Sequence, residues 1–194
     1  MIFKLFDNRI LAPLKCGTRY LSKVFEFVDF NYHTTIDFSN IEYLIIREPY
    51  EQLKSALHTE YMIHKDVYGY DMEFGDYLDK LILQNYCAHW TCDMYEQMCW
   101  MYIKSNKRIK IIHLSDLTNF IKNQGYTVKY KQSNYNFTDE TNMKIHGKEW
   151  VDKNYLFDKL LKEFGIQMQI LLKKVDIQTM FYNKMIHNEL YNLI

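Results

Sequence analysis

Three short apolar runs, each followed by a segment with helical periodicity, limit the folds open to this chain more than any other feature. The runs cover residues 9–14, 41–46 and 109–114, and the second is rich in β-branched residues. The segments after them carry apolar residues at helical spacing, over residues 19–28, 49–63 and 116–123. Strands that alternate with helices predict an α/β fold with a mainly parallel central sheet flanked by helices.

Further helices are predicted beyond these units. Residues 74–100 form two helical pieces broken near 87–91, and residues 150–172 form another with a break at Gly165. The tail over 176–194 is also helical in pattern, whereas residues 126–147 are predicted to be a loop. The chain has only 6 Gly and 2 Pro, so each should have a defined backbone role, such as Pro49 at a first helical position and Gly125 at a C-cap. With no visible linker, residues 1–194 are expected to form a single domain.

Charge and cysteine content narrow the function class. The chain has 24 basic and 24 acidic side chains, a balance that argues against a general nucleic-acid binder. No apolar stretch reaches the roughly 18 residues of a membrane span, and the first residues do not resemble a signal peptide, so a cytoplasmic protein with reduced thiols is expected. Cys87, Cys92 and Cys99 lack the paired spacing of a zinc site, even with His89 between the first two, and no metal is predicted.

The turn after the first apolar run has the composition of an anion site. Lys15 adds a positive charge, Gly17 permits close approach of the backbone, and Thr18 adds a hydroxyl at the start of a helix. The G-x-x-x-x-G-K-[ST] loop of nucleotide kinases is not matched, because the Lys precedes the Gly. An ordinary strand-to-helix turn is the alternative interpretation of these residues.

Residues 14–20, Leu-Lys-Cys-Gly-Thr-Arg-Tyr, resemble the 5′-phosphosulfate loop of sulfotransferases, roughly P-K-[ACST]-G-[ST]-T-x-L. Arg19 replaces the usual Thr or Ser, and Pro13 falls one place early. The resemblance implies that Lys15 and the loop from Cys16 through Arg19 hold the 5′ end of the nucleotide. Tyr20 falls where many members stack an aromatic ring on adenine, although it could also be a core residue.

Residues 43–56 resemble the 3′-phosphate segment of the same family, in which an apolar strand runs into R-[DEN]-P and a Ser follows the Arg by eight residues. Arg47 and Ser55 match those two positions. A guanidinium suits a phosphate, and the carboxyl end of a strand is where ligands bind in open α/β sheets. A surface ion pair of Arg47 with Glu48 or Glu51 is the alternative.

The resemblance implies a P-loop-like, three-layer fold and the cofactor 3′-phosphoadenosine-5′-phosphosulfate (PAPS), with adenosine 3′,5′-bisphosphate (PAP) as product. It implies in-line sulfuryl transfer to a hydroxyl acceptor, with a carbohydrate favoured because two further segments resemble those of uronyl 2-O-sulfotransferases and other carbohydrate sulfotransferases. Those segments contain His33 and His89. His89 is the first choice for the general base and His33 the second, each with a structural role as its alternative. Glu26 is an outside candidate, and Lys15 is expected to stabilise the leaving phosphate.

Other classes stay open at this point. A phosphotransferase with a degenerate loop would need ATP and Mg²⁺, a non-catalytic member would bind nucleotide or glycan only, and an interaction protein would bind neither. The sequence does not identify the acceptor. Because few residues after 120 remain to build an acceptor groove, a second copy of the chain could complete it.

Overall fold

The computed structural model describes residues 1–5, 8–13, 15–22, 24–29, 41–67, 73–84, 86–87, 90–91, 93–105, 109–126 and 151–187, without the side chains of some helix and strand residues, Arg19 among them. The chain divides into two compact units. The first contains Met1–Arg47, Tyr95–Tyr135 and Phe181–Ile194, and the second contains Glu48–Met94 and Asn136–Met180. The expectation of a single domain stays a prediction.

Strands and helices follow one another along the chain as β1 (Ile2–Leu5), β2 (Asn8–Leu11), α1 (Thr18–Leu21), β3 (Glu26–Asp29), β4 (Ile41–Ile46), α2 (Pro49–Val67), α3 (Phe74–Gln84), β5 (Tyr86–Cys87), β6 (Trp90–Thr91), α4 (Met94–Ser105), β7 (Lys110–His113), a 3₁₀ turn (Leu114–Asp116), α5 (Leu117–Asn123), α6 (Lys153–Glu163) and α7 (Gly165–Ile186). The chain therefore belongs to the α/β class.

The first unit is built on a five-stranded mixed sheet with the order β3-β1-β2-β4-β7. The pairs β2–β4 and β4–β7 are parallel, as the alternation of strands and helices predicts. The pairs β1–β2 and β1–β3 are antiparallel, and the sequence patterns did not indicate β1 or β3. The sheet is parallel on one side of β2 and antiparallel on the other.

One predicted helix is wrong. The apolar spacing over residues 19–28 predicts a helix, but α1 ends at Leu21 and the chain then forms β3, which pairs with β1. Leu21 and Phe25 are buried in the same core, so their spacing is compatible with a helix. The strand pairing that overrides this local preference involves residues more than twenty positions away.

The remaining predicted elements agree more closely with the structure. Strand β4 has the predicted bounds, α2 begins at Pro49, and the hairpin of β5 and β6 interrupts the helical stretch near residue 87. Gly125 has φ 81° and follows α5, as expected of a C-cap residue. Gly165 marks the junction of α6 and α7, and α7 runs on to Ile186, so the helical C-terminal part is also present. The predicted loop over 126–147 lies outside the described residues apart from Tyr126.

Each unit has its own hydrophobic core. In the first unit, side chains of β1, β2 and β4 pack with those of α1 and α5, including Phe3, Ile10, Tyr20, Ile45 and Leu117. In the second unit, apolar faces of α2, α3, α6 and α7 meet around Leu57, Leu78, Trp90, Leu160 and Leu171. Among the helices that the structure describes, none combines the length and apolar character needed to cross a membrane.

Candidate functional site

Parallel pairing brings the ends of three strands to one edge of the first unit's sheet. Leu11 of β2 pairs with Leu44 of β4, and Ile46 of β4 pairs with His113 of β7. We call the edge where these strands end the carboxyl edge. The predicted phosphate-binding residues Lys15 and Arg47 both follow strands that end there, which is the position at which open α/β sheets bind ligands.

The Lys15 turn, residues 15–18, has an unusual backbone. Lys15 has φ 63° and Gly17 has φ 80°, and Lys15 is the only residue besides glycine with positive φ in the described part of the chain. A left-handed conformation costs a side-chain-bearing residue about 1 kcal/mol. The N–H of Cys16 donates to the carbonyl of Pro13 at 3.1 Å, and the N–H of Leu21 donates to the carbonyl of Gly17 at 2.9 Å. These two hydrogen bonds stabilise the turn and offset part of the conformational cost at Lys15.

Helix α1 is too short to supply a strong dipole to this turn. It has 4 residues, and its N-cap residue Gly17 makes no side-chain cap hydrogen bond. The first N–H groups of any helix lack partners within the helix, and they can still donate to an anion. Because a macrodipole depends on many aligned peptides, attraction of an anion here depends chiefly on Lys15 and on individual N–H groups.

Arg47 connects the two predicted phosphate-binding segments, the Lys15 turn and the end of β4. Its Nη1 donates to the carbonyl oxygen of Lys15 at 3.1 Å, across 32 positions of sequence. Its backbone N–H donates to the hydroxyl of Tyr95 at 3.1 Å, and that hydroxyl donates in turn to the carbonyl of Arg47. Arg47 is thus fixed by its backbone to α4, while its guanidinium contacts the Lys15 turn. The guanidinium has five N–H donors, so this contact is compatible with anion binding.

Two neutral groups lie beside Arg47. Burial raises the pKa of the Cys16 thiol to about 12, although the Arg47 charge and a hydrogen bond with Tyr95 oppose this. Burial, followed by the neighbouring Cys16, raises the pKa of Tyr95 well above its usual range. Both side chains are therefore protonated at neutral pH. Cys16 cannot act as a nucleophile here, because the thiolate is the reactive form.

A histidine to which the sequence motifs assign no role lies at the same edge. His113 ends β7, and its Nδ1 is 3.2 Å from the hydroxyl of Tyr182. The ring of Tyr182 also packs edge-on against the ring of Tyr95, with centroids 5.5 Å apart. The sequence offered no local signal for this group, because its three aromatic members come from α4, β7 and α7.

Ser55 belongs to the second unit, on α2, where it is half-buried. The neighbouring Glu51 carboxylate contacts Lys54 Nζ at 2.5 Å and Lys153 Nζ at 2.6 Å. Burial acts to raise the pKa of Glu51, but hydrogen bonds from both lysines lower it to about 2. Glu51 is thus paired with two lysines, and the alternative of an ion pair of Arg47 with Glu48 or Glu51 stays a prediction. The contact of Ser55 with a phosphate stays a prediction.

The start of α6 is fixed to α2 near these lysines. The carboxylate of Asp152 caps α6 by accepting hydrogen bonds from the N–H groups of Asn154 and Tyr155, at 2.8 and 2.9 Å. His58 Nε2 lies 2.7 Å from the carbonyl of Val151. His58, one of the seven histidines, is therefore a buried structural residue.

The other predicted site residues have different outcomes. His33 and His89 lie outside the described residues, as do the side chains of Arg19, Cys87 and Cys92. Tyr20 is 2% exposed within the first core, a placement that favours packing over stacking on a base. Glu26 is exposed on the edge strand β3, where its carboxylate is 3.8 Å from Lys4. In the described part of the chain, no three His, Cys, Asp or Glu side chains group as metal ligands would.

Comparison of this chain with protein-family models, with curated proteins and with solved structures finds no match. The resemblance to sulfotransferases therefore depends on the two sequence motifs alone and stays a prediction.

Proposed function

We propose that this chain is a sulfotransferase that binds PAPS at the carboxyl edge and transfers its sulfuryl group to a hydroxyl, with a carbohydrate as the favoured acceptor class. The three-layer, P-loop-like arrangement is part of the proposal. The observation that carries it is the 3.1 Å bond from Arg47 Nη1 to the Lys15 carbonyl. This bond joins two motifs that the resemblance assigns to opposite ends of one nucleotide.

The residues at the edge suit such a ligand chemically. Lys15 and Arg47 each carry a positive charge, and the N–H groups of Gly17 and Thr18 add donors, whereas the N–H of Cys16 is bonded to Pro13, so the set suits a ligand with two phosphate groups. Their neighbours Cys16 and Tyr95 are held neutral by burial and add no negative charge. Gly17 lets the backbone approach the ligand closely, because it has no Cβ.

Each residue then has a role in the transfer. When bound, the nucleotide supplies a sulfuryl group that leaves its 5′-phosphate oxygen for the acceptor oxygen, while the acceptor proton passes to a general base. His89, with His33 as second choice, is proposed as that base. Lys15 and the turn N–H groups stabilise the charge that develops on the 5′-phosphate. Arg47 holds the remote phosphate and so fixes the orientation of the nucleotide.

Calorimetric binding of PAP tests the proposal. We expect Arg47→Ala to weaken binding at least tenfold, roughly the loss of one charge-assisted hydrogen bond pair. Arg9→Ala is the matched control, because Arg9 pairs with Ile41 at the opposite end of β2. It should change the affinity less than twofold, and ATP with Mg²⁺ should bind more weakly than PAP.

Arg47 also contacts the Lys15 turn, so a second variant separates binding from folding. Tyr95→Phe removes the hydroxyl bonded to the Arg47 backbone but leaves the guanidinium in place. It should lower the melting temperature and reduce PAP affinity less than Arg47→Ala does. Equal PAP affinity in wild type and Arg47→Ala, or preference for ATP with Mg²⁺, would refute the proposal. Sulfate transfer from PAPS to a panel of oligosaccharides then tests the acceptor class.

A further inference from the structure

His113 is placed next to Arg47 by the register of the sheet. His113 pairs with Ile46, the residue that precedes Arg47, so the backbones of His113 and Ile46 are about 5 Å apart. Strand β2, which leads into the Lys15 turn, lies on the other side of β4. Along the carboxyl edge the order is therefore the Lys15 turn, then Arg47, then His113.

Two buried tyrosines connect His113 to Arg47. Tyr182 contacts the His113 ring edge-on, with centroids 5.8 Å apart, and its hydroxyl lies 3.2 Å from Nδ1. Tyr182 packs on Tyr95, whose hydroxyl is bonded to the backbone of Arg47. The tyrosines are only 7% and 1% exposed, whereas His113 is partly exposed. The supporting rings are enclosed and the imidazole reaches the surface.

The contact at Nδ1 determines what the imidazole can do. With Nδ1 facing Tyr182, the second ring nitrogen, Nε2, is the atom through which the ring can bind a ligand. When the Tyr182 hydroxyl donates to Nδ1, the hydrogen of the neutral ring is on Nε2, and the protonated ring also carries a hydrogen there. Nε2 is then a hydrogen-bond donor in both forms. A hydrogen-bond donor at the end of β7, on the strand next to the one that leads into Arg47, suits the oxygens of a phosphate held by that guanidinium.

We propose that His113 is a second ligand of the phosphate that Arg47 binds, positioned for that purpose by Tyr182. The inference rests on the proposed function, in which that phosphate is the 3′-phosphate of the nucleotide. It assigns to His113 a part in distinguishing nucleotides phosphorylated at the 3′ position from those that are not. It also explains the order along the edge, in which His113 is separated by Arg47 from the turn that holds the 5′ end.

The test compares two ligands that differ in this phosphate, PAP and adenosine 5′-monophosphate. We expect His113→Asn to weaken PAP binding about tenfold, the loss of roughly one hydrogen bond to a charged group, and to change monophosphate binding less than twofold. His187→Asn is the matched control, since His187 is exposed and follows the end of α7. Tyr182→Phe should weaken PAP binding by a smaller factor, because it removes only the positioning contact.

A spectroscopic measurement keeps the test independent of folding defects in the variants. In wild type, PAP should shift the imidazole resonances of His113 in two-dimensional NMR spectra and leave those of His187 in place. Monophosphate should shift the His113 resonances much less. If PAP binds wild type and His113→Asn equally well and does not shift the His113 resonances, the inference is wrong and the proposed function stands. If PAP does not bind wild type, the proposed function fails and the inference fails with it.

Discussion

Glu51 shows how one partly exposed carboxylate can order several side chains. Its two oxygens contact the ammonium groups of Lys54 and Lys153, and Lys54 also donates to the amide oxygen of Asn154 at 3.1 Å. The first turns of α2 and α6 are joined through these bonds. Networks of this kind contribute more than an isolated surface pair, because each charge has more than one partner.

We expect this network to make the stability of the protein depend on acidity. The folded-state pKa of Glu51 is lowered from 4.5 to about 2, so its contribution to the free energy of unfolding is complete above pH 4.5 and is lost as the pH falls through about 2. Glu51→Gln should be less stable than wild type at pH 7, by about 1 kcal/mol. The difference should shrink toward pH 2.

Urea unfolding of wild type and Glu51→Gln at several pH values between 2 and 7 measures this effect. Glu163→Gln is the matched control, because its carboxylate pairs with Lys159 at 3.8 Å on an exposed surface of the same unit. That variant should follow the wild-type pH dependence. A constant difference between wild type and Glu51→Gln over the whole range would contradict the assigned linkage.

Individual residues also show which parts of the candidate site can be predicted from sequence and which cannot. Lys15 and Arg47 each lie in a local motif, and a parallel α/β sheet brings such motifs to one edge, so their proximity could be anticipated. Tyr95 contacts Arg47 across 48 positions of sequence, and Tyr182 contacts His113 across 69. No spacing or periodicity signals such pairs, because they depend on how α4 and α7 pack.

At the scale of elements, prediction succeeded where local patterns and tertiary structure agree. Three of the six residues of strand β4 are β-branched isoleucines and the strand has polar neighbours, while α2 begins with a proline at its first position, so the sequence predicts both elements correctly. Strand β3 was predicted to be helical, since the spacing of Leu21 and Phe25 fits a helix. Its strand form comes from pairing with β1, which is a non-local interaction.

The ends of two helices provide a matched pair of glycine substitutions. Gly125 has φ 81° and an added Cβ would meet nothing within 4 Å, so Gly125→Ala should cost about 1 kcal/mol through backbone conformation alone. Gly165 begins α7, has the same open surroundings and no positive φ. Gly165→Ala should be neutral or stabilise the protein by up to about 1 kcal/mol.

Thermal unfolding of both glycine variants compares the two positions under identical conditions. The side chain added is the same in each case, so the difference between the variants isolates the left-handed conformation at residue 125. Equal melting temperatures for the two variants would show that the C-cap of α5 does not require this conformation.

At the scale of the whole molecule, charge balance is the property with the clearest consequence. The chain has 24 basic and 24 acidic residues, a formal net charge of zero at pH 7, and 7 histidines. Molecules without net charge lack the mutual repulsion that opposes association. Acidification through the histidine range adds positive charge quickly, while a comparable rise in pH changes the charge less.

Solubility should therefore be lowest near pH 7 and rise more steeply on the acid side, toward pH 5.5. Precipitation by polyethylene glycol at pH 5.5, 7 and 8.5 measures this. Sodium chloride at about 0.15 M should raise solubility at pH 7, because it screens attraction between opposite charges on neighbouring molecules. Lower solubility at pH 5.5 than at pH 7 would show that association is governed by apolar surface instead of net charge.

The left-handed backbone at Lys15 sets stability and ligand recognition in opposition at one position. Glycine would adopt φ 63° without a steric penalty, so a library screened for heat resistance should favour Lys15→Gly. The same change would delete the ammonium group that the proposed chemistry needs. Selection for catalysis should therefore retain Lys15 despite its backbone strain. In a descendant that has lost the reaction, substitution of Lys15 by glycine should be tolerated.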